Sequence, residues 1–498
     1  MTILANMSPA QAAEFNAALL ASGGDGVARG AAIQADRRVA LFGDSMMMQA
    51  VIAGNGTAAA SDAATGALIA AGQNQYDYTQ VGLFAGIQQL GGHRFVLDPL
   101  MNKGIGGDTT ANMAARYATD IAANYSQFLW LFADGGTNDS QAGIDPGASV
   151  AYLKAMYSQA IAAGKKVVWF ACPPRTAWSD NPTGTVKTQR FRGLAYINAQ
   201  MHLWSRSLPA GSAFFIIDGW ADFSDPANAF PSFSAGALSI NAKAMWDSIL
   251  HPGGRGAYLL GKRAVAEIGS QFPNTSWRSR GPVDAFDATY NPTGNALPNI
   301  GFLATTGGTN NGSSVTAAAG IPANCTITQA AATGSVTLVP SEVVYTTVAP
   351  DPSAYNARLG NIPQIAVNMA SGKANAIRTT LSITTGIAAG FLTAGRTVYA
   401  VAQLRLSGLQ GFAGGQAGFS YSPDGGTTWF RRNDGTASHD FAWGQDDHTI
   451  WLVSPELTIP ANAQTSIAYN FSVTTYWDAR TAGATGTCQI SDVQLVGL

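Results

Sequence analysis

Arg37-Arg-Val-Ala-Leu-Phe-Gly-Asp-Ser-Met-Met-Met48 reads as a buried strand, Val39 to Phe42, that runs into a tight turn holding Ser45. Gly43 lets the backbone turn sharply, and Asp44 is also turn-tolerant. The apolar residues after Ser45, Met46 to Met48 and Ala50 to Ile52, read as the start of a helix. A strand, a turn and a helix in that order place a serine hydroxyl at the carboxyl edge of a parallel sheet, beside the amides of a helix start. That is a sensible position for a nucleophile once partners for it are found.

Outward from this stretch, to about Gln271, short β-like runs alternate with helical ones. The strands read as Val39–Phe42, Arg94–Leu97, Phe128–Ala133, Lys166–Ala171 and Ala213–Ile217. Helical patterns cover Thr110–Ala123, Ser149–Ala163, Lys187–Leu208 and Gly256–Ile268, with another expected over Asp77–Gln89 and a small-residue loop over Asn55–Gln75. Compact apolar strands separated by amphipathic helices imply a parallel sheet covered on both faces.

Three further stretches border strand ends, where partners for Ser45 are needed. They are Asn102-Lys-Gly-Ile-Gly-Gly-Asp-Thr-Thr110, Gly135-Gly-Thr-Asn-Asp139 and Asp247-Ser-Ile-Leu-His-Pro-Gly-Gly254. A serine hydroxyl needs a neighbouring base, which His251 can supply. The base needs an acceptor to fix its tautomer, which Asp247 can supply. A developing oxyanion needs preorganised donors, and Gly107 can offer an unobstructed backbone N–H and Asn138 its amide. Asp139, Gly104 and Gly106 read as structural, and Met46 to Met48 as core packing.

These four stretches resemble the four blocks of the SGNH (GDSL-like) hydrolases: GDS, a glycine within N-x-G-I-x-G-D-T, G-x-N-D and D-x-x-H-P. They occur in the family's order, over roughly Arg37 to Gln271. The resemblance implies a flavodoxin-like α/β/α fold and ester hydrolysis through an acyl-enzyme. It makes Ser45 the nucleophile and a contributor of one oxyanion-hole N–H, with Gly107 and Asn138 completing the hole. His251 becomes the general base and acid, and Asp247 orients it. The family has two residues between acid and histidine, whereas here there are three, Ser248 to Leu250. Spacings of three and four both keep side chains adjacent on a helical turn. Asp218 and Asp222 are alternative acids, as is a serine–histidine pair aided by a backbone carbonyl.

The flanks differ in kind. Residues 1–30 form an N-terminal arm with a helix expected from Ser8 to Ser22, started by a capping box of Ser8 and Gln11 with Pro9 in the first turn. The hydrolase domain is expected over 31–272 and a Pro/Asn/Ser/Arg-rich linker over 273–295. From 296 to 498 the periodicity changes to two, as in Val398/Ala400/Ala402/Leu404 and Ile467/Tyr469/Phe471/Val473, which argues for an antiparallel all-β sandwich. Ser422-Pro-Asp-Gly-Gly-Thr-Thr-Trp429 resembles the Asp-box of sialidases, a hairpin turn in that family, so Asp424 reads as structural. Stretches near Leu297–Phe302 and Ile490–Val496 resemble jelly-roll modules of phage tail proteins and carbohydrate-binding jelly rolls.

Composition narrows the classes. At 498 residues the chain has room for two or more domains. Charged residues make up only 12%, about half the usual share, which suits an outward-facing, β-rich protein. A net charge of -2 gives no reason to expect nucleic acid or an anionic membrane as partner. No apolar run approaches a membrane span, and with Arg29 the first basic residue the start of a signal peptide is missing. Cys172, Cys325 and Cys488 are too few for a disulfide framework, though Cys325 and Cys488 could pair. No cofactor or metal is required, since neither a paired-His motif nor a Cys/His cluster is present. The expectation is therefore an esterase that removes O-acyl, above all O-acetyl, groups from a polysaccharide. It would be extracellular or virion-associated, and a homotrimer if attached to a phage tail. The alternatives are a non-catalytic receptor-binding tail protein and a lipase.

Overall fold

The computed structural model describes residues 36–53, 75–79, 82–175, 178, 180, 184–223, 251–273, 285, 287–288, 295–298, 308–310, 315–317, 321, 323–330, 336–339, 364–371, 377–388, 390–426, 429–435, 443–460, 466–479 and 482–497. The expected helix from Ser8 to Ser22, most of the loop after Asn55, most of the linker and Asp247 lie outside them. The chain divides into two compact units. One comprises Ala35–Pro273 with Thr436–Gly444, and the other Met1–Gln34, Asn274–Gly435 and Gln445–Leu498.

The first unit is built on five parallel strands: β1 (Arg38–Gly43), β4 (Val96–Gly104), β5 (Trp130–Ala133), β6 (Lys166–Phe170) and β7 (Phe214–Ile217). Their order across the sheet is β4-β1-β5-β6-β7. Counting these strands alone along the chain, that is 2-1-3-4-5, the flavodoxin-like order. Two short strands, β2 (Val51–Ala53) and β3 (Gln75–Tyr78), pair antiparallel with each other.

The strands are apolar on both faces because helices cover both. On one face, Val39, Leu41, Trp130, Phe132, Val168 and Phe170 pack with Ile87 of α2 (Ala85–Leu90) and with Leu260, Ala264 and Ile268 of α8 (Gly254–Ile268). On the other, Ala40, Phe42, Leu131, Val167 and Trp169 pack against α3 (Thr110–Asp120), α5 (Pro146–Ala162) and α6 (Gly184–Ser207). Between them in the chain lie the short helices α1 (Ser45–Met48), α4 (Thr137–Ala142) and α7 (Trp220–Phe223). The helices change face beside β1, so its carboxyl end lies at the topological switch point of the sheet.

The expected helix over Asp77–Gln89 is only its last part. Gln75–Tyr78 is a strand and the helix begins at Ala85. Likewise, the helix after Ser45 stops at Met48 and Val51–Ala53 is extended, as β-branched Val51 and Ile52 favour. The second sheet strand starts later than expected and runs to Gly104, absorbing Asn102 and Lys103.

In the second unit, one sheet runs in the order Phe430–Asp434, Phe412–Ser422, Ala468–Trp477, Ile377–Ile383, Thr326–Ala330, Thr309–Asn310. The other runs His448–Val453, Thr397–Gln410, Ala484–Gly497, Gln364–Met369, Val336–Val339, Val315–Ala317. All these pairings are antiparallel except the last in each sheet. The sheets face each other: a Cβ on Gly415 of the first would lie 2.5 Å from Leu404 of the second. Residues 423–429 join two paired strands, with the Ser422 hydroxyl donating to Asp424 and accepting from the Gly426 N–H. The Asp-box is thus a hairpin connection here. Cys325 and Cys488 are buried free thiols, so the pairing left open by the sequence is not made.

Helices α2 and α8 touch backbone to backbone. A Cβ on Gly86 would sit 1.8 Å from the Ala257 carbonyl oxygen, and one on Gly261 2.3 Å from the Gly86 carbonyl carbon. We expect Gly261→Ala to force the helices apart and cost about 2 kcal/mol, read as a lower melting temperature. Gly164→Ala, where a Cβ would meet nothing within 4 Å, serves as comparison: only its positive φ is strained.

Candidate active site

The site begins with the turn at the end of β1. Asp44 is the N-cap of α1, its Oδ1 accepting the Met46 N–H at 2.9 Å. Ser45 follows at the first helical position, half-buried, with its hydroxyl at the carboxyl edge of the sheet. Its Oγ lies 2.9 Å from His251 Nε2, a hydrogen bond between residues far apart in the chain. His251 stands three residues before α8 begins at Gly254, and the Gly82 N–H donates to the Pro252 carbonyl beside it.

The glycine-rich turn lies against Ser45. A Cβ on Gly106 would be 3.9 Å from the Ser45 Cβ and 3.7 Å from the Met48 sulfur. Gly104 abuts α1 so closely that a Cβ would sit 2.2 Å from the Met48 nitrogen. Gly107 has φ +85° with open space around the Cβ position, so it is required by its backbone conformation.

Asn138, at the start of α4, reaches the same place, but both amide hydrogens are engaged. Nδ2 donates to Asp44 Oδ2 at 3.2 Å and to the Asp108 carbonyl at 3.0 Å. To serve an oxyanion it must release one of them, and the neutral Asp108 carbonyl is the weaker acceptor. Asp139 is structural, as expected: it accepts the Thr110 N–H at 2.8 Å, the Thr110 hydroxyl and the Ser149 hydroxyl at 2.7 Å, tying α3 and α5 to α4.

The structure thus brings Ser45, His251, Asn138 and the Gly106–Gly107 turn together. It commits the two alternative acids elsewhere. Asp218 binds His202 Nε2 at 2.9 Å and Asp222 binds Arg263 at 2.7 Å.

Sequence reasoning missed three residues. Arg116, on α3, donates to Asp108 Oδ2 at 2.7 Å, the Lys103 carbonyl at 2.8 Å and the Gly43 carbonyl at 2.9 Å. One guanidinium therefore pins the turn before Ser45, the end of β4 and the glycine-rich turn, using the fork of donors that lysine lacks. Arg175 is buried, stacks over Trp178 at 4.6 Å, and its charge acts on Asp44. Asp134, the first residue beyond β5, accepts the Asp44 N–H at 2.9 Å, and its carboxyl interacts with that of Asp44. Nothing about these three marks them as partners of Ser45 in sequence; only the turn geometry does.

Burial raises the Asp44 carboxyl above the ordinary range, against the lowering effects of Asp134, the Met46 N–H, His251 and Arg175. Asp134 is pushed well above it, by burial first and the Asp44 charge second. Two buried carboxyls in contact cannot both ionise, so the pair holds a proton.

Residues 42–259 match the model of the GDSL-like Lipase/Acylhydrolase family. Similar solved structures include a lipase/acylhydrolase from Enterococcus faecalis, 17% identical, covering 48% of this chain and 100% of that one, with a TM-score of 0.29. An acetylxylan esterase from Geobacillus stearothermophilus is 16% identical, covering 49% and 99%, with a TM-score of 0.31. A GDSL-like lipase from Bacteroides thetaiotaomicron is 12% identical, covering 52% and 95%, with a TM-score of 0.32. No curated protein matches the chain.

Two outcomes follow from this geometry. Arg116→Met should cost about 3 kcal/mol of stability, because it strands the Asp108 carboxylate, and should lower turnover on an aryl acetate; thermal melting and initial rates measure the two effects. The native pair keeps a proton that an unfolded carboxyl releases above its ordinary value of 3.8, so the pair costs stability increasingly as pH rises from there. The melting temperature of Asp134→Asn relative to wild type should therefore climb between pH 4 and pH 8.

Proposed function

Residues 42–259 match the model of the GDSL-like lipase/acylhydrolase family, and from that match we propose that the protein is a serine esterase working through an acyl-enzyme. The observation that carries this reading is the Ser45 Oγ to His251 Nε2 hydrogen bond of 2.9 Å. His251 takes the hydroxyl proton as Ser45 attacks the ester carbonyl, and returns it to the leaving alcohol as the tetrahedral intermediate collapses. Water, deprotonated by the same imidazole, then attacks the acyl-serine. The oxyanion receives the Ser45 N–H, the Gly107 N–H and the Asn138 amide, the last exchanging its Asp108 contact for the substrate. Asp247 orients His251, an assignment strengthened because Asp218 and Asp222 are spent on other partners.

For substrate we favour a short acyl group, acetyl above all, on a polysaccharide. The Cβ position of Gly106 lies within 4 Å of both Ser45 and the Met48 sulfur, so the Met48 side chain borders the space on that side of the serine, which suits a short acyl group. The polysaccharide part of the reading rests on the attached β-sandwich and its sequence resemblance to sugar-binding and phage-tail modules. On that reading the protein is a deacetylase carried outside the cell or on a virion. A lipase would need an acyl channel past Met48. A non-catalytic binding role gains some support from the engaged Asn138 amide.

Hydrolysis of p-nitrophenyl acetate by the wild type and its loss in Ser45→Ala test the reaction. A wild type inactive on every acyl ester would leave the binding role. Asn138→Ala should lower kcat about 10²- to 10³-fold. Acetate release from a panel of acetylated bacterial and plant polysaccharides, set against rates on long-chain esters, checks the substrate class.

A further inference from the structure

We propose that Asp134 is a positioning residue for the esterase reaction, acting through Asp44 to aim the Asn138 amide at the acyl site. The inference rests on the hydrolase reading above and deepens it.

Asp134 is 3% exposed and belongs to none of the four motif stretches. A buried carboxyl is costly unless its contacts repay the lost hydration. Its contacts all lead toward the nucleophile turn. Oδ1 takes the Asp44 N–H at 2.9 Å, and the Asp44 charge acts on the Asp134 carboxyl. The chain has made room for this at position 43, where a Cβ would lie 1.5 Å from Asp134 Oδ1. No other residue type at that position leaves the carboxyl where it is. The Asp134 backbone is itself fixed, its N–H donating to the Phe42 carbonyl at 3.2 Å and its carbonyl accepting the Tyr157 hydroxyl at 3.0 Å.

The shared proton belongs on Asp134. Asp44 has the Met46 and Asn138 N–H groups on its oxygens and the charges of His251 and Arg175 in range, all of which favour its anion. Among the described residues Asp134 Oδ2 has no hydrogen-bond partner, and the Asp134 carboxyl faces the Asp44 charge. A protonated Asp134 donates to Asp44 and leaves it a fixed anionic acceptor. Asp44 Oδ2 then holds one hydrogen of the Asn138 amide as a permanent anchor. The other hydrogen, on the neutral Asp108 carbonyl, is the one an oxyanion can claim. Without Asp134 the Asp44 side chain loses its outer support, and the amide loses its aim.

The test is a double-mutant cycle in the full-length protein on p-nitrophenyl acetate. Asp134→Leu should lower kcat roughly 30-fold with KM within about threefold, since the lost donor acts in the transition state. Asp134→Asn should recover most of that loss, because its amide oxygen accepts the Asp44 N–H and its NH₂ donates to the Asp44 carboxylate. In an Asn138→Ala background, adding Asp134→Leu should cost less than about threefold, because the two residues act as one unit. A merely structural residue would give multiplying costs and no such rescue. Wild-type kcat in Asp134→Leu, multiplying costs, or an Asp134→Asn variant no better than Asp134→Leu would each overturn the inference. Circular dichroism and thermal melting establish that each variant is folded. If Asp134→Leu does not fold, the same cycle is run with Asp134→Ser under the same criteria. A wild type inactive on every acyl ester overturns the hydrolase reading and this inference with it, whereas an active wild type with multiplying costs overturns this inference alone.

Discussion

A single hydrogen bond, from the Ser45 hydroxyl to His251 Nε2, joins residues 206 positions apart. It exists only if the carboxyl end of β1 and the amino end of α8 arrive at one point. Each is fixed independently. β1 is the buried strand between β4 and β5, and α8 is locked by its backbone contact with α2 through Gly86 and Gly261. A shift of an ångström in either element would separate the oxygen from the nitrogen, which is why small residues, with no slack to lose, occupy the crossing.

The polar edge of the sheet is a harder problem than its core. Asp44, Asp108, Asp134 and Asp139 are all buried there. Unsatisfied, each would cost several kcal/mol. Each is instead the hub of a local network: Asp139 for three donors, Asp108 for Arg116, Asp44 for Met46 and Asn138, and Asp134 for Asp44. Asn198 does the same for the backbone of Cys172, giving and taking hydrogen bonds of 2.9 Å. These networks hold the loops in place without a disulfide, since all three cysteines are free.

What sequence could read and what it could not divide along a physical line. The sheet strands were legible because a strand covered on both faces is a continuous apolar run, as in Trp130–Ala133. The site turns were legible because Gly107 and Gly136 sit at positive φ, where glycine is the residue that fits. The region from Asp77 to Gln89 was misread because Tyr76 and Tyr78, at period two, overlap the helical pattern that follows. Arg116 and Asp134 escaped because their meaning is entirely tertiary. One lies on a helix face and the other at a strand end, and only the fold shows that both reach the backbone of Gly43 and Asp44. In the C-terminal unit, Thr397–Gln410 reads from its period of two as a sandwich strand, and it is buried on both faces for most of its length. The facing sheet covers the side that carries Leu404, and on the other side Tyr399 and Val401 cluster with Val453 and Val496; alternation among Val, Ala and Leu does not distinguish a half-buried strand from a fully buried one.

The charge arrangement around His251 carries one further step. An imidazole that accepts the Ser45 proton becomes a cation, and the Asp44 carboxylate is already within electrostatic range of it. That anion is held in place by the same turn that holds Ser45. On the mechanism proposed above, its place is beside the cation that forms, apart from the acid that sets the tautomer. The Arg175 charge also acts on Asp44 and favours its anion. Neither Asp44 nor Arg175 is one of the residues proposed to carry the reaction, yet the charge of each bears on the turn that holds Ser45.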